Sequence, residues 1–243
     1  MLAVYRKEIN AFFASLIGYV VIGVFLVVMG LFLYVFADTS LLSYGYATLT
    51  PFFTLAPNVL LFLIPAITMR ALAEERQTGA IELLVTRPIT DWAIVLGKFF
   101  ACLSLVVVAL LPSLLYCYTV YTLAQPVGNI DVGGTIGSYL GLLLLSMAFV
   151  AIGLFASAVT TNQIVSFLLA LALSFWLYFG FDYLAALPVF YGNGDRLVSS
   201  LGMQDHFASL GRGLIDTRDV VYFISLTAFF LLLTVLSLRR RLW

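Results

Sequence analysis

Five stretches of this chain contain no Asp, Glu, Lys or Arg: residues 9–37, 39–69, 99–130, 132–181 and 220–238. A helix needs about 20 apolar residues to cross roughly 30 Å of hydrocarbon, so each stretch is long enough to span a bilayer. The fourth holds 50 residues and is interrupted by the polar run Thr160-Thr161-Asn162-Gln163, which divides it in two and brings the expected spans to six. The runs are continuously apolar and lack the alternation of inward polar residues that a barrel strand requires. Composition agrees: 63% of residues are hydrophobic and 10% charged, against about a quarter charged in soluble domains. The expected fold is all-α, a polytopic membrane protein with six transmembrane helices.

We place the spans at about residues 16–37, 51–69, 92–123, 136–159, 164–187 and 220–238, within one membrane domain covering 1–243. Residues 1–15 read as an interfacial elbow helix, because Tyr5, Ile9, Phe12, Phe13 and Leu16 recur at helical spacing among Arg6, Lys7, Glu8 and Asn10. The first apolar window is too long for a signal-peptide core and has no convincing cleavage site, so it reads as a retained span. Lys and Arg near span ends are held on the cytoplasmic side. With six spans, Arg6, Lys7, Arg70, Arg76, Arg87, Lys98, Arg239, Arg240 and Arg241 share one face and only Arg196, Arg212 and Arg218 the other, which puts both termini in the cytoplasm. The zero net charge gives no reason to expect nucleic acid as a partner. Cys102 and Cys117 fall 15 residues apart in one helix, about 22 Å by rise, too far to bridge.

The cytoplasmic loop 70–91 concentrates charge. From Arg70 to Lys98 inclusive there are eight charged residues, set between two charge-free stretches. Ile81, Leu84 and Val85 fall on one face of a short helix along the membrane surface, with Glu75, Arg76 and Glu82 expected to face water or a partner. Pro88 disfavours helix at Arg87. Thr90 then caps the third span, Asp91 occupies its first turn, and Gly97-Lys98 marks the return into the bilayer.

Elsewhere, Pro57, Asn58 and Pro65 of the second span are candidates for a pathway or hinge, as Pro112 is for a kink in the third. Asp182, the one acid within an expected span, joins them, although it sits near the outer end. Phe175, Trp176, Tyr178, Phe179, Phe181 and Tyr183 read as an interfacial aromatic belt. Gly137-x-x-x-Gly141 permits close helix approach. The external loop 188–219 offers an apolar face of Val198, Leu201, Leu210 and Leu214, with Asp216 or Thr217 capping the sixth span. His206 reads as a loop residue, since a metal site wants more His or Cys than this chain supplies.

The run Glu75-Arg76-x-x-Gly79-Ala80-Ile81-Glu82-Leu83-Leu84-x-x-x-Pro88, followed by Gly97-Lys98, resembles the coupling loop of ABC-2 type transporter permeases. Ala80 departs from the Thr common after that glycine. The resemblance extends over the elbow, the six spans and the long external loop. It implies a bacterial inner-membrane permease, moved by a separate ABC ATP-binding subunit that holds ATP and Mg and grips Glu74, Glu75, Arg76, Gly79, Glu82, Leu83, Leu84 and Pro88. A second permease copy or a related permease would complete the pathway. The run from His206 to Phe223 further resembles gliding-motility-associated permeases, which implies an auxiliary membrane subunit with a large periplasmic domain. Other export systems, for lipid, polysaccharide, drug or metal maturation, and a non-transporting mechanical transmitter are the alternatives.

No nucleotide chemistry is expected of the chain. It has no G-x-x-x-x-G-K-[ST] phosphate cradle, because Trp92 stands where the first glycine before Gly97-Lys98 would be. An intramembrane protease would need Glu-Glu-x-x-x-Arg, but Glu74-Glu75 is followed by Gly79 at the arginine position, and no His-Glu-x-x-His occurs. A secondary transporter would want buried ionisable groups or repeats, and neither is evident. Substrate identity has no readable motif.

Overall fold

The structure is a computed structural model that describes residues 1–36, 38–41, 45–79, 90–190, 194–213 and 215–239. Among the described residues there are helices and turns and no strand. We number the helices α1 (Leu2–Ala14), α2 (Leu16–Tyr34), α3 (Thr50–Thr68), α4 (Ala73–Gln77), α5 (Asp91–Leu110), α6 (Leu114–Leu123), α7 (Val132–Val159), α8 (Gln163–Phe175), α9 (Phe181–Ala185), α10 (Gly194–Ser199), α11 (Met203–Leu210) and α12 (Thr217–Arg239).

Among the described residues five helical stretches are long and apolar enough to cross a membrane: Thr50–Gln77, Asp91–Leu123, Val132–Val159, Gln163–Ala185 and Thr217–Arg239. A sixth forms if Leu2–Ala14 and Gly18–Tyr34, bent by 65° from each other, are taken as one. The chain is a multi-pass membrane protein.

Short polar side chains set the helix starts. The Thr90 hydroxyl accepts from the Ala93 amide at 3.3 Å, Asp131 from Gly134 at 2.9 Å, and Asn162 from Ile164 at 2.9 Å. Each satisfies one amide left without a partner in a first turn. Asp216 receives the Arg218 amide at 2.9 Å where α12 begins. At Pro112, which cannot donate a backbone hydrogen bond, the span tightens into a 3₁₀ turn, Leu111–Ser113, joining α5 to α6. Between α8 and α9 the helix widens into a π turn, Trp176–Gly180.

The hub is α7. In its most apolar window 78% is buried, against 28% for Gln163–Ala185, and α3, α5, α8, α11 and α12 all pack on it. Small residues make this possible. A Cβ at Gly141 would meet the Phe207 ring at 3.1 Å and one at Gly153 would meet the Thr68 Cβ at 2.8 Å, while one at Gly137 would collide with the Leu210 carbonyl. Gly137 and Gly141 therefore receive α11, an element of the outer segment, and not another span.

The outer segment differs from expectation in its buried face. Met203, Phe207 and Leu210 are buried whereas Leu201 is exposed, because the chain breaks at Gly202 and α11 turns its own i, i+4, i+7 positions onto α7. Leu214 lies outside the described residues. His206 is helical, its Nδ1 2.6 Å from Asp219 and its Nε2 2.9 Å from the Ser200 carbonyl, with its ring stacked 3.9 Å from Tyr222. Of the aromatic group, Tyr178 is buried against Phe149, while Phe175, Trp176 and Tyr183 are exposed as a belt requires.

Gly97-Lys98 is not a turn: both residues lie inside α5. Gly97 is where α1 crosses, since a Cβ there would stand 2.9 Å from the Val4 Cβ.

Candidate functional site

Four charges from three helices meet at one end of the bundle. Lys98 of α5 is almost wholly enclosed, its side chain 2% exposed, and its ammonium lies 2.7 Å from Glu8 of α1 and 2.9 Å from Glu75 of α4. Lys7 adds a second cation, 2.8 Å from the same Glu75 oxygen and 3.5 Å from Glu8. An isolated ammonium at this depth would be far too costly to bury. Two carboxylates facing two ammoniums cancel that charge, so α1, α4 and α5 are joined at a single neutral knot.

The seat of α4 is equally specific. Ser157 of α7 accepts from the Leu72 and Ala73 amides at 3.0 and 2.9 Å and donates to the Met69 carbonyl at 3.1 Å. One hydroxyl thus satisfies the backbone exposed where α3 gives way to α4. Replacing it would leave two buried donors and an acceptor unpaired, at about 1–3 kcal/mol for each group. Ser157→Ala is therefore expected to lower the melting temperature in detergent clearly, and an unchanged melt would show that the seat is not made by this hydroxyl.

The coupling residues expected from the sequence divide between exposure and burial. Glu74 is exposed and pairs with Arg70 at 3.3 Å, a surface pair of small worth. Arg70 also reaches Gln163 of α8 at 3.2 Å. Glu75 and Arg76, expected to face water or a partner, are instead enclosed within the chain: the Glu75 side chain is 13% exposed and Arg76 as a whole 8%. The reason is that α4 turns back onto α7 and α8 and Glu75 finds Lys98 there. The Arg76 guanidinium has no hydrogen-bond partner among the described residues. Gly79, at φ 72°, sits in the left-handed conformation that ends α4. Glu82, Leu83, Leu84 and Pro88 lie outside the described residues, as do Ile81 and Val85.

Pro57 and Pro65 are buried within an unbroken α3. Asn58 donates to the Thr54 carbonyl at 2.9 Å and lines a groove of about 390 Å³ at the bundle end remote from Lys98, formed by α3, α7, the π turn and α11. Asp182 does not line it; its carboxylate faces the Gly202 turn. Asn58, a pathway candidate from the sequence, thus lines a groove, whereas Lys98 and Ser157 were not anticipated as a site. The only local signal was the small pair Gly153-x-x-x-Ser157, of the kind that marks close helix packing. Among the described residues no group of His, Cys, Asp and Glu is arranged to hold a metal.

The family model described as ABC-2 family transporter protein matches residues 2–241, and with that extent the chain belongs to the ABC-2 transporter family. Membership implies an ABC ATP-binding partner. No curated protein matches the chain.

Proposed function

We propose that this chain is the membrane-spanning permease subunit of an ATP-driven export complex, moved by a separate ATP-binding subunit that docks where the chain leaves α4. The observation that carries the reading is the knot of Lys7, Glu8, Glu75 and Lys98, which couples the helix leading into residues 80–89 rigidly to α1 and to the long span beginning at Asp91. A push on that segment becomes a tilt of two membrane elements. The 65° bend between α1 and α2 supports an interfacial, elbow-like course for the leading helix. Arg70, Arg76, Lys98 and Arg239 gather at the same end, Arg239 bonding Asp91 at 3.4 Å, and retention of basic residues assigns that end to the cytoplasm. ATP and Mg belong to the partner, and a second permease completes the pathway.

Glu82→Arg is expected to leave membrane insertion intact while abolishing substrate-dependent ATPase stimulation and transport in the assembled complex. Unchanged stimulation and transport in that variant would overturn the coupling role of residues 74–88. The finer type, a gliding-motility-associated permease with an auxiliary periplasmic subunit, is proposed from the run His206 to Phe223. Its test is whether purification from the native membrane brings down both an ATPase and a membrane protein with a large external domain. An ATPase alone would overturn that finer type.

A further inference from the structure

The groove at the bundle end opposite the ionic knot has its own chemistry. Its walls are Phe53 of α3, Tyr178 and Phe179 of the π turn, and Phe207 of α11. Along α3 it runs from Thr50 to Asn58, eight residues, or about 12 Å of rise from the helix end. A ligand filling it spans the headgroup region and the upper hydrocarbon. Thr50, Thr54, Ala208 and Arg212 border it and are exposed, so it opens outward.

Two polar groups in the lining lack partners among the described residues. Arg212 is the only charged residue among the described residues of the groove, and its guanidinium makes no ion pair and no hydrogen bond with them. The Oε1 of Gln204, eight positions earlier in the chain, is buried and accepts no hydrogen bond from the described residues. An enclosed acceptor left empty is costly, and an unpaired guanidinium suits a phosphate-like anion. The π turn that supplies Tyr178 and Phe179 is a rare local geometry found often at binding sites.

We propose that this groove binds an anionic lipid whose headgroup also carries a hydroxyl: the anion on Arg212, the hydroxyl donating to Gln204, and the apolar chain along Phe53, Tyr178, Phe179 and Phe207. That the lipid is what the permease moves rests on the export reading above; that it binds does not.

The test is titration of the purified full chain in detergent with phosphatidylglycerol, read by native mass spectrometry without nucleotide. Phosphatidylmethanol serves as the anionic lipid without a hydroxyl donor, phosphatidylcholine as the lipid with neither net charge nor hydroxyl, and glycerol phosphate as the headgroup without chains. One phosphatidylglycerol should bind per chain about tenfold more tightly than phosphatidylcholine, and glycerol phosphate should not displace it. Arg212→Gln should lower the affinity about tenfold, Arg212→Lys should retain most of it, and Gln204→Leu should remove the preference for phosphatidylglycerol over phosphatidylmethanol. Binding of phosphatidylcholine or phosphatidylmethanol as tight as that of phosphatidylglycerol, wild-type affinity in both Arg212→Gln and Gln204→Leu, or displacement by glycerol phosphate at matching concentration would overturn the proposal. Because nucleotide is absent, failure here leaves the coupling reading standing, and failure of Glu82→Arg to uncouple leaves this one.

Discussion

Lys98→Met lowers the stability of the folded chain by roughly 3–5 kcal/mol, the cost of leaving buried carboxylates without their counterion. The side chain it removes is 2% exposed and bonds two acids at 2.7 and 2.9 Å. Lys7 remains, but one ammonium that is 57% exposed then faces Glu8 and Glu75 together. The knot is left with an excess negative charge and no cation deep enough to neutralise it. In detergent this should appear as a fall in melting temperature on the order of 10 °C.

A second substitution separates charge imbalance from lost packing. Adding Glu75→Gln to Lys98→Met restores balance, leaving Lys7 and Glu8 as a pair 3.5 Å apart. The double variant should therefore melt above the single one, a non-additivity expected only of residues that share an interaction. A double variant that melts below Lys98→Met, or a single variant indistinguishable from the parent, would show that these four charges do not form one buried unit.

What could be read along the chain was whatever depends on neighbours in sequence. The apolar runs located the spans because a bilayer demands length and continuity in each segment separately. The Thr90 cap was legible for the same reason, since the Ala93 amide it satisfies lies three residues away. Glu75 and Arg76 were misplaced into water because charge on a cytoplasmic loop is ordinarily solvated. What encloses Glu75 is the packing of α4 on α7 and α8, where it meets Lys98, itself bound by Glu8 across a separation of 90, and Lys7, 68 residues away. No periodicity reports a partner at that distance. Gly97-Lys98 shows the same limit, since a glycine beside a lysine at a span start reads as a turn until α1 is seen crossing it. His206 was assigned to a loop because a lone histidine has no spacing to interpret, yet Asp219 and the Tyr222 ring fix it within α11.

Gly153→Ala is expected to damage the protein more than adding a single methyl suggests. A Cβ there would run into the Thr68 hydroxyl and stand 2.8 Å from the Thr68 Cβ and 3.1 Å from its Cγ2. Thr68 has little freedom to withdraw, because it is fully buried and its hydroxyl is tied to the Ile64 carbonyl at 2.9 Å. The axes of α3 and α7 must therefore separate, at a cost of about 1–3 kcal/mol for overpacking. Alanine's better helix propensity returns at most about 1 kcal/mol. One turn further along the same face of α7 is Ser157, whose three bonds to Met69, Leu72 and Ala73 seat α4. Separation at residue 153 stretches those bonds, and with them the position of Glu75 in the ionic knot, so the variant should lose coupling to ATP hydrolysis as well as stability. Gly23→Ala is the matched control: nothing stands within 4 Å of a Cβ at Gly23, and the same methyl there should stabilise slightly or do nothing. If the two variants melt alike and both retain nucleotide-driven activity, the close contact of α3 with α7 is not what holds α4 in place.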